Sequence, residues 1–145
     1  RMNEVISEAS ANKMLYMLKG VIDGGTGGRI RYKYNMKCEM GGKTGTTNNN
    51  SDAWFMGFTP NLVSGLWIGG DDRDIHFDSM SMGQGATMAL PVWAYYMRKV
   101  FNDKQLGYNE GAVFDLPKDY DPCSMGGTEG DDPNLDALDI SDIYE

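Results

Sequence analysis

Gly41-Gly42-Lys43-Thr44-Gly45-Thr46-Thr47, then Asn48-Asn49-Asn50-Ser51, then Asp52-Ala53-Trp54-Phe55-Met56-Gly57-Phe58-Thr59-Pro60-Asn61-Leu62-Val63-Ser64-Gly65-Leu66-Trp67-Ile68-Gly69 is the stretch that decides the fold. Residues 62–69 alternate, with Leu62, Ser64, Leu66 and Ile68 on one side and Val63, Gly65 and Trp67 on the other, as a strand requires. Residues 53–58 are aromatic-rich and strand-like, and residues 42–47 read as extended. Asn and Ser at 48–51 supply turn chemistry, and Thr59-Pro60-Asn61 is a tight turn with Pro in its favoured place. Connections this short force antiparallel neighbours. The expectation is a three-stranded meander.

Helical spacing appears on both sides of it. Met14, Leu15, Leu18, Val21 and Ile22 make one apolar face of a helix expected over residues 7–23, capped by Ser7 or Ser10 and stopped at Gly24-Gly25. A second helix is expected over residues 88–102, with Leu90, Trp93, Tyr96, Met97, Val100 and Phe101 as its stripe and Pro91 in the first turn. Residues 71–85 read as loop. The fold class is therefore α+β, an antiparallel sheet segment with flanking helices, both expected on one sheet face. The other face, bearing Trp54 and Trp67, would need a partner.

Composition bounds the remaining choices. The chain has 145 residues, 41% of them hydrophobic, enough for one modest core. It opens with Arg1, without a signal-peptide pattern, as a piece of a longer polypeptide would. No apolar run approaches the roughly 20 residues of a membrane span. Of the 21 acids, eleven lie from Glu110 onward beside one of the 13 bases, so residues 110–145 carry −10 and residues 1–109 carry +2. Residues 1–109 are expected to be the folded domain and residues 110–145 an acidic, disordered tail. Arg29, Arg31, Lys33 and Lys37 are the sole candidates for a basic patch, and they read as solvated surface; no nucleic-acid partner is expected. Cys38 and Cys123 fit no metal spacing and read as two unpaired thiols.

The chemistry sits in Lys43-Thr44-Gly45-Thr46-Thr47. A phosphate-binding loop would need a glycine five residues before the Gly-Lys-Thr, and that position is Lys37. A strand edge that grips an anion fits better. Lys43 supplies a positive charge, Thr44 and Thr46 project hydroxyls to one side, and Gly45 leaves the other side open for close approach. An extended peptide could add itself to such an edge as a further strand. A carboxylate there would receive charge-assisted hydrogen bonds, each worth about 1.5–3 kcal/mol.

Lys43-Thr44-Gly45-Thr46-Thr47-Asn48, the Asp52-Ala53-Trp54-Phe55 strand with its Pro60-Asn61 turn, and Ala89-Leu90-Pro91-Val92-Trp93 together resemble the end of the transpeptidase domain of class A penicillin-binding proteins. The tripeptide alone would say little; the fixed spacing of the strands and the Leu-Pro-X-Trp helix makes the likeness specific. It covers roughly residues 9–101.

The resemblance implies part of the serine β-lactamase/DD-transpeptidase fold and a serine acyl-enzyme reaction without a cofactor. Its substrates would be peptidoglycan stem peptides ending in D-Ala-D-Ala, and β-lactams would bind as inhibitors. It also implies that Lys43 is catalytic, that Thr44, Gly45, Thr46 and Thr47 bind substrate, and that the Thr46 N–H is one of two oxyanion donors. The placement implied is extracytoplasmic, on a membrane-anchored parent. The family's nucleophilic Ser-X-X-Lys has one formal match, Ser10-Ala11-Asn12-Lys13, too close to Lys43 to leave room for the intervening helical subdomain. Ser10 reads instead as the polar start of a helix, so the nucleophile is expected upstream, in the remainder of the transpeptidase domain. His76, alone in an Asp-rich loop, reads as exposed and structural. Two alternatives stay open: a serine β-lactamase-like hydrolase, and a non-catalytic ligand-binding module.

Overall fold

A computed structural model describes residues 5–117. The element order is α1 (Glu8–Asp23), α2 (Arg29–Tyr32), β1 (Gly41–Thr46), β2 (Asp52–Thr59), β3 (Leu62–Gly69), α3 (Met80–Gly83), α4 (Ala89–Asn102) and a 3-10 turn at Lys104–Leu106. The described residues fall into two units, 5–15 with 116–117, and Tyr16–Asp115.

In the first unit, Ser7 Oγ accepts the Ser10 N–H at 3.3 Å and donates to Ser10 Oγ at 3.0 Å, which caps the start of α1. Ser10 thus opens a helix, as its position suggested. Most of the acidic tail, including Cys123, lies outside the described residues.

The second unit holds the sheet. Its order is β1-β2-β3, antiparallel throughout, with Thr44 opposite Phe55 and Trp54 opposite Trp67. The expected meander is present, with boundaries within one residue of those read from the sequence. Asn50 closes the β1–β2 turn at φ 53°, a conformation in which Asn is favoured among non-glycine residues.

Register divides the sheet into two unlike faces. Ala53 and Phe55 point to the face covered by α4, whereas Trp54, Met56, Val63 and Trp67 point to the other and stay exposed. Phe55 meets Trp93 of α4 edge-on, at a ring-centroid distance of 5.0 Å. The Trp93 indole N–H donates to Ser64 Oγ at 2.8 Å and Ser64 O at 3.2 Å, so its polar atom is satisfied although the ring is buried. Gly57 makes this seat: a Cβ there would meet Trp93 Cζ2 at 2.4 Å.

The helices differ from expectation in detail. Among the described helices, α4 is the one packed extensively on β2 and β3. On α1 only Ile22 is fully buried, while Met14 stays exposed. On α4 the buried stripe is Leu90, Trp93, Ala94, Met97 and Val100, with Tyr96 exposed. Ala94 is buried in place of Tyr96, so the buried stripe includes a small residue that the apolar pattern did not mark. The expected 71–85 loop contains the short α3, and residues 29–32 form the helical turn α2.

Candidate functional site

β1 is an edge strand among the described residues. The Thr47 N–H donates to Asp52 O at 3.1 Å, so Thr47 turns its peptide toward β2. Alternation then leaves the N–H and C=O groups of Gly42, Thr44 and Thr46 turned to the open edge. Lys43 curls its ammonium onto that edge and donates to Thr44 O at 2.7 Å. The strand therefore offers outward peptide N–H groups beside a fixed positive charge.

The side chains do not all gather on one side. Thr44 and Thr46 share the face of Phe55 and Ala53, and Lys43 and Gly45 share that of Met56 and Trp54. Lys43 reaches the threonines only by folding around the edge. The side opposite the threonines is not bare at Gly45, since a Cβ there would meet Trp54 Cβ at 3.2 Å. Thr47 has a different task. Its hydroxyl accepts the Asp52 N–H at 3.0 Å and pairs with Ser51 Oγ at 3.0 Å, closing the turn. A cleft of about 320 Å³ lined by Thr47, Asn48, Asn49, Ser51 and Arg73 continues from that end of the strand.

Two contacts to the threonines come from distant parts of the chain. Thr26 Oγ1 lies 3.1 Å from Thr44 Oγ1. The buried Gly85 donates its N–H to Thr46 Oγ1 at 3.1 Å. From the sequence Thr26 is noted only within Gly25-Thr26-Gly27, as part of the family likeness, and Gly85 only as the end of a loop; neither is assigned there to the site. The Gly85-Ala86 pair between an expected loop and an expected helix was the available signal, and it gives no hint of Thr46.

The other titratable candidates play no part in this edge. His76 is exposed, with Nδ1 3.3 Å from Phe77 O. Cys38 is a buried free thiol, pushed up to about 11 by burial and by the charge of Glu110, so it is a poor nucleophile. Of the basic cluster, Arg29 donates to Ala86 O at 3.2 Å. Arg31 binds Asp23 and the carbonyls of Met36 and Cys38. Those two arginines brace the fold instead of forming a solvated patch. No group of three or more His, Cys, Asp or Glu residues among those described is arranged to hold a metal.

No protein-family profile matches the chain. It is 37% identical over 152 aligned positions to penicillin-binding protein 1A of Aquifex aeolicus, covering 97% of this chain and 20% of that protein. The homologues of this chain are penicillin-binding proteins 1A. That of Neisseria meningitidis is 47% identical over 70 residues, 48% of this chain and 8% of the relative. The crystal structure of penicillin-binding protein 1A from Haemophilus influenzae superposes with a TM-score of 0.62 at 34% identity, covering 79% of this chain and 17% of that one. The chain thus spans a fifth or less of these penicillin-binding proteins 1A. The α+β class read from the sequence stands, and the three-stranded sheet with its helices is a segment of the transpeptidase fold.

Proposed function

We propose that this chain is the segment of a peptidoglycan DD-transpeptidase domain that presents the Lys-Thr-Gly strand to the substrate, with residues 1–109 as the domain portion and 110–145 as an appended acidic tail. The observation that carries the reading is the open edge of β1, where outward peptide groups of Gly42, Thr44 and Thr46 lie beside the Lys43 ammonium. Its kinship with penicillin-binding proteins 1A supports it.

In this reading a stem peptide ending in D-Ala-D-Ala docks along the edge by strand addition. Its carboxylate is held by the Thr44 and Thr46 hydroxyls and the field of Lys43. The nucleophilic serine comes from the part of the parent that this chain does not span. Its oxygen attacks the penultimate D-Ala carbonyl, the Thr46 N–H supports the developing oxyanion, and the terminal D-Ala leaves with a proton on its amine. An amine of a neighbouring stem then takes the acyl group, and the serine regains its proton. An oxyanion donor is worth about 3–4 kcal/mol in such a step. A β-lactam would acylate the same serine. The parent would act outside the cytoplasmic membrane on a membrane anchor; among the described residues no helix is long and apolar enough to be one.

The test is acylation of the full-length parent by a labelled penicillin. A covalent adduct on a serine outside this chain is expected, stable for hours. Turnover of the adduct in seconds would favour the β-lactamase-like alternative, no adduct would favour the non-catalytic module, and an adduct on Ser10 would overturn the assignment of the nucleophile. Lys43→Ala should slow acylation about a hundredfold or more, the range of lost acid–base assistance; an unchanged rate refutes the role given to Lys43.

A further inference from the structure

The contact between Gly85 and Thr46 has a direction that chemistry alone fixes. A peptide N–H can only donate, so in the 3.1 Å bond the Thr46 hydroxyl accepts. A hydroxyl has one proton and two acceptor lone pairs; the Gly85 N–H fills one lone pair, which orients the group and leaves its proton to be donated elsewhere. A carboxylate only accepts. Thr46 is exposed at the strand edge while Gly85 is buried, so the occupied side of the hydroxyl faces the protein and its partner-seeking side faces solvent.

The donor itself is held firmly. Gly85 O accepts the Leu90 N–H at 2.9 Å from the first turn of α4, and Arg29 Nη1 binds the next carbonyl, Ala86 O. Gly85 also sits hard against the sheet. A Cβ at this position would meet Trp54 O at 2.5 Å and Gly45 O at 2.7 Å. Both are backbone atoms of paired strands, which cannot swing aside as a flexible side chain would. Only glycine brings the N–H this close to Thr46.

We propose that the Gly85 peptide is a positioning group that orients the Thr46 hydroxyl to donate toward an anionic ligand, and so sets the preference of the site for substrates bearing a free carboxylate. This rests on the reading of β1 as a carboxylate-binding edge, and it adds a residue from a distant loop to that edge.

The test compares acylation of the full-length parent by a penicillin and by the methyl ester of its carboxylate. The wild type should favour the free acid. Gly85→Ala should slow acylation by the acid about tenfold, the scale of one charge-assisted hydrogen bond, and leave the ester within about twofold. In a Thr46→Val background Gly85→Ala should add no further loss of preference, while Thr46→Ser should retain it. Should Gly85→Ala fail to fold, replacing Gly85 by glycolate swaps the N–H for an ester oxygen without adding a Cβ, and the same loss of preference is expected. Equal slowing of both ligands, an unchanged preference in the glycolate variant, or a further loss in the Thr46→Val background overturns the proposal. A wild type that shows no preference for the acid would instead refute the carboxylate-binding edge itself, so the two failures are distinguishable.

Discussion

Lys43 and Thr44 are neighbours in sequence and point to opposite faces of their strand, yet the Lys43 ammonium returns to the edge through Thr44 O. Single residues elsewhere show the same sensitivity to what stands across from them. Gly57 is the sharpest case, because its missing Cβ is where the Trp93 ring lies. Gly57→Ala would force the buried indole off Ser64 and against Phe55. Overpacking of this kind costs about 1–3 kcal/mol, sometimes more. The midpoint of the domain's unfolding step in urea, followed by tryptophan fluorescence in the full-length parent, should fall accordingly; an unchanged midpoint would mean that Trp93 is not seated as described. The sequence showed Gly57 only as a gap in an aromatic strand. Its partner lies in another element and could not be named from it.

At the scale of elements, local pattern was a good guide to what forms and a poorer one to which side is buried. The β3 alternation, the Pro60-Asn61 turn and the start of α4 near Pro91 were all legible, because turn chemistry and strand period are properties of adjacent residues. The stripe of α4 was read correctly at Leu90, Trp93, Met97 and Val100 and wrongly at Tyr96. Tyr96 looked as apolar as its neighbours, but Ala94 is the buried residue and Tyr96 is left outside. Met97→Ala should therefore destabilise the fold by about 2–5 kcal/mol, whereas Tyr96→Ala should stay within about 0.5 kcal/mol. The same urea titration checks both, and equal effects would contradict the helix orientation. The helical turn α2 was not foreseen, since its four residues are too few for periodicity to register.

On the scale of the whole molecule, the apolar sheet face expected to need a partner is indeed open, with Trp54 and Trp67 each 46% exposed. The acidic C-terminal stretch begins differently from its composition. Phe114 packs edge-on against Phe58 at 5.8 Å, and its N–H donates to Glu39 at 2.8 Å. That N–H, ahead of the Lys19 ammonium at 3.3 Å, holds the Glu39 carboxyl below the ordinary glutamate range against the opposing effect of burial. A lowered folded-state value stabilises at pH above the unfolded value of about 4.5 and is lost as pH falls through the folded one. Glu39→Gln should thus lower the melting temperature near neutrality and converge with the wild type in acid. Its effect is modest because the Glu39 side chain is 37% exposed, and a constant difference across pH would contradict the linkage. The sequence by itself determined the three strands, their turns, the two long helices and the Lys-Thr-Gly edge, since these follow from alternation and spacing among near neighbours. Only the tertiary structure decided which way that edge is equipped. The donor to Thr46 lies 39 residues away, and the arginine that steadies the same loop reaches across 57. Contacts at such separation depend on how sheet and helices pack, and no local pattern records them.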